Sequence, residues 1–358
     1  MAEAPAVSPD PESDPPSNGA FRGCPVVAVC GYSGAGKTTL LESVLPDLVA
    51  RGLSVLVVKQ DAHRLELDRE GKDTDRLFRA GADALIRDAR QAFLRLHDPD
   101  AAALERVAAR HGADYDLILV EGHKSTSLPW KVWLTRDDNE TPPPEAVGIR
   151  RVVGRGEDRK AVLLAMLEER MAEVAGAVPV YGGILIGGAS RRMGRPKHLI
   201  ADGGRTWLER AADVVRPFVQ RVAILGAGEI PAALRDGVAL PDAEDAAGPM
   251  RGLRAALRWA PRASWLFVAC DLPRLRPEAI AWVLSHRRPG ARAVIPRQPD
   301  TGWAEPLLAW YDFRMAGAIE RASRPMELAR CAGVLCPDIP SSLADAWHNA
   351  NTPESARR

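Results

Sequence analysis

Cysteine is scarce and poorly spaced for chemistry. Five cysteines, Cys24, Cys30, Cys270, Cys331 and Cys336, are spread over 358 residues. None forms a CxxC pair, and an odd count does not close a disulfide framework. They read as buried or idle thiols in a reducing compartment, so a cytoplasmic chain is expected. Long apolar runs are missing as well. No stretch approaches the ~20 residues that a membrane-spanning helix needs. The N-terminus has neither a basic n-region nor an apolar h-region, so no secretory signal is expected. Charge of one sign is also missing: 48 Lys and Arg face 47 Asp and Glu, for a net charge of +1. That balance gives no support to a whole-chain nucleic-acid or membrane-surface binder, although local basic sites stay open.

What is present is globular in kind, with 46% hydrophobic and 27% charged residues. At roughly 150 residues per domain the chain holds about two domains, each long enough to bury a core. Residues 1–22 are rich in Pro, Ser and acid, and are expected to be a disordered tail. Beyond them, strand-like apolar runs alternate with helical periodicity. PVVAVC (25–30), LSVLVVK (53–59), YDLILVEG (115–122) and KVWLT (131–135) read as strands, ADALIR (82–87) and GIRRVV as shorter ones. TTLLESVLPDLVARG, DTDRLFRAGA (73–82), AAALERVAARHG (101–112) and EDRKAVLLAMLEERMAEVA (157–175) read as helices. A second series starts at VPVYGGILIGG (178–188) and repeats the rhythm through RVAILG, SWLFVAC and RAVIP. The expectation is α/β: two tandem domains, 23–175 and 176–358. Strands alternating with helices imply parallel sheets in both. The halves share no sequence period, so this is not an internal repeat.

Each half opens on a glycine-rich loop, and the two loops differ. Gly31-Tyr-Ser-Gly34-Ala35-Gly36-Lys37-Thr38 is a full GxxxxGK[ST] pattern between a strand and a helix. Glycine lets backbone N–H groups curl round phosphate oxygens, and the helix N-terminus adds positive potential. Lys37 would reach the β and γ phosphates, and the Thr38 hydroxyl would take Mg²⁺. Glu121 ends an apolar strand, where an acid serves a metal or a water. Lys59, Asp61 and His63 follow the second strand at the same sheet edge. A lone histidine is more often a satisfied polar group than a ligand, so His63 and His123 rank below these residues.

The second loop runs Leu185-Ile186-Gly187-Gly188, then a basic stretch with Arg192, then Lys197. It lacks the GK[ST] ending and the GxGxxG pattern. Backbone amides of Gly187 to Ser190, with Arg192 and Lys197, could surround a triphosphate. Asp271 ends the strand SWLFVAC, and a Mg²⁺ held there would suit nucleotidyl transfer. Asp242 and Asp245 precede the turn GPMRG (248–252), which could approach a base or ribose. NANTPE (349–354) adds two side-chain amides.

At these residues the second half resembles the MobA-type molybdenum cofactor guanylyltransferases. The carriers are LIGGASRRMGRPK (185–197), DAEDAAGPMRGL (242–253), FVACDLP (267–273), EPLLAWY (305–311) and NANTPE (349–354), in the family's order. Ile186, Met250, Arg251 and Arg274 depart from the usual residues. Arg251 adds a charge near the nucleotide. The first half resembles the MobB-type molybdopterin-guanine dinucleotide biosynthesis adapters. Its carriers are GYSGAGKTTLLESVLPDL (31–48), VVKQDAHRLELDREGKDTDRLFRAGADA (57–84) and LILVEGHKSTSLPWKV (117–132). The resemblance implies a P-loop NTPase-like parallel sheet followed by a Rossmann-like nucleotidyltransferase domain, an adapter–transferase fusion that moves GMP from GTP to molybdopterin, with Mg²⁺, and releases pyrophosphate. It implies phosphate neutralisation by Lys197 and Arg192, and GTP against the backbone of Leu185, Ile186, Gly187 and Gly188. It implies Mg²⁺ on Asp271 and nucleotide contact by Asp242. In the first half, Gly34, Ala35, Gly36, Lys37, Thr38 and Thr39 would hold a second GTP, with Glu121 near its metal. A molybdenum insertion protein and a molybdoenzyme chaperone are implied partners. Two other readings stay open at this point. One is a molybdopterin cytidylyltransferase; the other is a P-loop GTPase or chaperone with a non-catalytic docking domain.

Overall fold

The computed structural model describes residues 24–59, 73–81, 83–87, 89–96, 103–126, 128, 130–187 and 196–350. The expected tail, Asp61, His63, Gly188, Arg192 and residues 351–354 lie outside the described residues. The chain divides into two compact units that part between Val174 and Ala175.

The first unit runs β1 (Val26–Cys30), α1 (Lys37–Ala50), β2 (Val55–Lys59), α2 (Asp73–Arg79), β3 (Ala84–Arg87), β4 (Ala92–Arg95), α3 (Leu104–His111), β5 (Leu117–Glu121), β6 (Lys131–Leu134), β7 (Ile149–Val153) and α4 (Arg159–Ala177). Its main sheet has the order β2-β5-β1-β6-β7, with every pairing parallel. Alternation along the strands explains why both faces are covered. Val27, Val29, Leu117, Leu119, Val132 and Leu134 pack with Leu40, Leu41, Val44 and Leu48 of α1 and Leu163, Met166 and Leu167 of α4. The alternate residues, Val26, Ala28, Ile118, Val120 and Trp133, pack with Leu104 and Ala108 of α3. The antiparallel β3–β4 pair stands apart from this sheet. Its second strand, Ala92–Arg95, is not among the expected strands.

The second unit runs β8 (Val180–Leu185), β9 (Ala201–Asp202), β10 (Arg205–Thr206), α5 (Trp207–Val215), β11 (Arg221–Leu225), β12 (Val238–Leu240), α6 (Met250–Trp259), β13 (Ser264–Ala269), α7 (Pro277–Ser285), β14 (Ala293–Val294), β15 (Leu308–Tyr311), α8 (Ala316–Arg321) and β16 (Val334–Leu335). The sheet order is β12-β11-β8-β13-β15-β14-β16. β8, β11, β12 and β13 are parallel, whereas β15 runs antiparallel to both β13 and β14. The α/β expectation therefore holds, with one reversed strand that the alternating pattern did not reveal. Phe267 and Trp265 face α6 and α8, while Leu266 and Val268 face α5 and α7. Gly182 and Gly183 lie in mid-strand and serve packing. A Cβ on Gly182 would stand 2.5 Å from Val215 Cγ1, and one on Gly183 2.7 Å from Leu225 Cδ1. Among the described residues no helix is long and apolar enough to cross a membrane.

Candidate functional site

In the first unit, β1 delivers the glycine loop to the carboxyl edge of the sheet. Gly31, Gly34 and Gly36 all have positive φ, at 149°, 77° and 88°. Gly31 admits no side chain, because a Cβ would lie 2.7 Å from the Leu134 carbonyl oxygen. Gly36 caps α1 in the left-handed region, so the amides of Lys37, Thr38 and Thr39 open the helix at the loop. Ala35 is buried under the loop, and Thr38 and Thr39 are exposed. Lys37 Nζ donates to the Gly31 and Tyr32 carbonyls at 3.0 and 2.9 Å. The Thr38 hydroxyl donates to Glu121 Oε1 at 2.9 Å, and Lys59 Nζ stands 3.7 Å from the same oxygen. The sequence-predicted Lys37, Thr38, Glu121 and Lys59 thus meet at one edge.

Two further residues hold this edge and were not singled out from the sequence. Arg159, the first residue of α4, donates to the carbonyls of Ala35 at 2.8 Å, Gly154 at 2.9 Å, and Thr135. It braces the loop from 124 residues away, and no local pattern could have marked it. Lys131 is fully buried, and its ammonium donates to the carbonyls of His123 at 3.0 Å, Lys124 at 2.9 Å, and Thr126. Burial pushes its pKa below the usual lysine value. Those three bonds shape the loop that follows Glu121. His123 lies in that loop at φ 57°, with Nδ1 3.1 Å from the Thr126 hydroxyl. Burial also lowers its pKa.

In the second unit the site is assembled from separate segments. Leu185 ends β8 and Ile186 is fully buried, its N–H bonded to Leu225 O at 2.9 Å. Gly187 is exposed, and a Cβ there would meet nothing within 4 Å. Lys197 starts a 3₁₀ turn, and its ammonium lies 2.8 Å from Asp271 Oδ2. Both side chains are about four-fifths buried, at 19% and 20% exposure. His198 anchors that turn, with Nε2 3.0 Å from the Glu229 carbonyl. Cys270, beside Asp271, has its pKa pushed up to about 12 by burial and by the neighbouring carboxylate.

Asp242 sits past the end of β12. A Cβ on Gly226 would lie 3.6 Å from its Oδ1, and Arg251 Nη1 is 3.6 Å from its Oδ2. Arg251 also donates through Nε to the Ala243 carbonyl at 3.1 Å, while the Ala243 N–H returns a bond to Arg251 O at 3.3 Å. The departure at Arg251 thus has a structural role as a clamp on the Asp242 loop. Arg254 and Arg258, three and seven residues further along α6, continue the clamp onto Asp245. Arg254 reaches the Asp245 carbonyl at 2.8 Å, and Arg258 makes a two-pronged bond to its carboxylate at 2.9 and 2.6 Å. The segment that carries Asn349 meets this edge through its backbone, where the Ala350 N–H bonds to Asp271 O at 3.0 Å, while Asn349 itself is exposed.

Each edge offers one or two carboxylates beside cations and open backbone, which is chemistry for a polyanion with a small hard cation. Among the described residues no group of three or more His, Cys, Asp or Glu side chains forms a metal cage. That donor set fits Mg²⁺, which binds through one or two carboxylates together with substrate phosphates. Fold and site define a P-loop nucleotide-binding unit followed by a nucleotidyltransferase-type unit.

Comparison with known proteins agrees. Residues 26–153 match the family Molybdopterin guanine dinucleotide synthesis protein B, and residues 182–332 match the MobA-like NTP transferase domain. A molybdopterin-guanine dinucleotide biosynthesis adapter protein of Haemophilus influenzae is 40% identical over 124 residues, 34% of this chain and 68% of that one. A molybdenum cofactor guanylyltransferase of Rhizobium meliloti is 32% identical over 193 residues, 49% of this chain and 88% of that one. A molybdenum cofactor biosynthesis bifunctional protein of a Synechocystis strain is 31% identical over 136 residues, 37% of this chain and 39% of that one. The chain belongs to the adapter family in its first half and to the molybdenum cofactor guanylyltransferase family in its second.

Proposed function

We propose that the second unit transfers GMP from GTP to molybdopterin, and that the first is a fused GTP-binding adapter. The boundary is taken at 175/176. The observation that carries the reading is the Lys197–Asp271 pair at the carboxyl edge of β8 and β13. A cation and a carboxylate held together there meet the two needs of a triphosphate: charge neutralisation and a metal anchor.

In the reaction, a phosphate oxygen of molybdopterin attacks the α-phosphorus of GTP and forms a new P–O bond. The bond between the α-phosphorus and the bridging oxygen breaks, and pyrophosphate leaves with the electron pair. Little covalent work falls to the protein, so rate comes from positioning and charge. The backbone of Leu185 to Gly188 would line the GTP, and Lys197 with Arg192 would offset the phosphate charge. Asp242 would accept a hydrogen bond from the nucleotide. Asp271 would hold Mg²⁺ in this unit, and Thr38 with Glu121 would do so in the first. Bound Mg²⁺ would neutralise charge on the phosphate oxygens. The loop from Gly34 to Thr39 would seat the second GTP.

The test is purified protein with molybdopterin, molybdate, Mg²⁺ and α-labelled GTP, with labelled CTP in parallel. Label in a pterin dinucleotide from GTP alone is the expected result. Label from CTP alone would make the enzyme a cytidylyltransferase. Free GTP hydrolysis without labelled dinucleotide would leave the P-loop unit as the working part.

A further inference from the structure

A short hairpin between β14 and β15 carries two groups that the transfer step leaves unused: the indole of Trp303 and the carboxyl of Glu305. Its pairing is well defined. Gln298 N–H bonds to Trp303 O at 2.8 Å and Glu305 N–H to Pro296 O at 2.7 Å, with a bridge between Arg297 and Ala304. Residues opposite each other in an antiparallel ribbon share a face, and so do residues two apart. Gln298, Trp303 and Glu305 therefore lie on one face. The diagonal bond from Gln298 Nε2 to Glu305 Oε1, at 3.0 Å, agrees with that placement. Arg297 lies on the other face and fixes the base. Its Nε is 2.5 Å from Asp338 Oδ1, and its backbone bonds to Pro337 O and Ile339 N–H, both at 3.0 Å.

The hairpin stands at the transfer edge. β13 and β15 pair Val268 with Leu308, and Ala269 N–H bonds to Leu307 O at 2.8 Å. Continued along the antiparallel register, Glu305 comes level with Asp271. Along the edge the order follows the sheet: Asp242 after β12, Leu185 to Gly187 after β8, Asp271 after β13, then Glu305 before β15. The nucleotide residues lie on the β12 side of Asp271 and the hairpin on the other. Trp303 is 67% exposed, the most exposed large apolar side chain among the described residues. Burial raises the Glu305 pKa although the Gln298 amide bond opposes it.

We infer that this hairpin face is the subsite for the planar, nitrogen-rich bicyclic head of the acceptor: the Trp303 indole stacks on the ring and Glu305 accepts from its N–H edge. The inference rests on the transfer reading only in naming the acceptor. A pterin ring presents a ring N–H beside an amino group, two donors in a row. A carboxylate has lone pairs to accept both while keeping the Gln298 bond. An indole is a rigid, large platform at small entropic cost, and stacking of a heteroaromatic ring on an aromatic side chain is worth roughly tenfold to a hundredfold in affinity.

The test uses the full chain and 6-hydroxymethylpterin, whose own fluorescence reports binding. The variants are Trp303→Ala, Trp303→Phe and Glu305→Gln. Trp303→Ala removes no core packing, and an unchanged melting temperature checks that it folds. Expected is saturable binding by the parent chain, weaker by about tenfold or more in Trp303→Ala and in Glu305→Gln. Trp303→Phe should restore most of it. In the transfer assay the same variants should raise KM for molybdopterin and leave KM for GTP unchanged. No saturable binding by the parent chain, or equal binding by Trp303→Ala, overturns the subsite. So does a rise in KM for GTP alone. Trp303-dependent pterin binding in a chain that forms no labelled dinucleotide upholds the subsite and overturns the transfer reading.

Discussion

Each nucleotide edge sets a lysine at its glycine-rich loop, and the two lysines are restrained differently. Lys37 is bonded to carbonyls of its own loop, which Arg159 braces from behind. Lys197 is paired with a carboxylate 74 residues away. A lysine on neutral carbonyls can turn to a phosphate with little electrostatic penalty, and its loop is already closed. A lysine on a carboxylate must share or exchange its partner, and the freed carboxylate then needs a cation of its own. The first edge is built for binding. The second holds its lysine on a charged partner, so on the proposed reading both groups change partners when a triphosphate and its metal arrive.

The largest break in that comparison should come from Asp271. Asp271→Ala removes the carboxylate that Lys197 Nζ bonds and, on the proposed reading, the Mg²⁺ ligand, and transfer should fall by about a thousandfold. Lys197→Ala should cost roughly a hundredfold or more for the same reason. Both are read as label moved from α-labelled GTP, and near-normal transfer in Asp271→Ala would refute the assignment. Lys37→Ala acts on the other edge. GTP binding to the first unit should be lost in a direct binding titration, while transfer falls but persists. Complete loss of transfer would show that the two edges act as one.

The loops themselves sharpen the contrast. Gly31→Ala forces both a positive φ and a 2.7 Å approach to the Leu134 carbonyl oxygen. It should cost about 1–3 kcal/mol of stability in thermal or urea unfolding. Gly187→Ala meets open space and should stay within about 0.5 kcal/mol of the parent. Equal losses in the two would remove the distinction.

The smallest effect concerns pH. Arg258, hydrogen-bonded to Asp245, holds that carboxyl down from its ordinary 3.8 to about 2. The folded pKa is the lower one. The pair's contribution is therefore complete above pH 3.8 and is lost as pH falls towards 2. Arg258→Ala should lower the melting temperature slightly near neutrality and flatten its decline in that acid window. An identical decline in parent and variant would count against the pair. The group is exposed, so the shift is small and salt should shrink it further.

Legibility in the sequence followed the same divide. The first edge was readable because its chemistry is local: eight consecutive residues specify the turn, the lysine and the hydroxyl. Glu121 was readable because a buried strand ending in an acid is itself a pattern. Arg159 and Lys131 were not, since their partners are backbone carbonyls, which carry no residue signature. In the second unit the strands β8, β11 and β13 announced themselves as apolar runs. β15 did not, because Leu308–Tyr311 is a four-residue run without periodicity. Its reversal is a fact of topology alone, and the hairpin with Trp303 and Glu305 depends on it. The motif around Glu305 was visible as a family carrier, but its neighbourhood to Asp271 needed the antiparallel register. Arg251 was visible as a departure, and its meaning came only with Asp242 and Ala243 beside it.

The arginine series on α6 has a consequence for motion. Arg251, Arg254 and Arg258 tie residues 242, 243 and 245 to one helix face. A stretch without regular structure is thereby tied to the helix, and opening it breaks those bonds. Hydrogen exchange of its amides should therefore track that of α6 more closely than that of untied surface loops. The ordering entropy of that stretch is spent during folding, so Asp242 stands on a wall that is already in place.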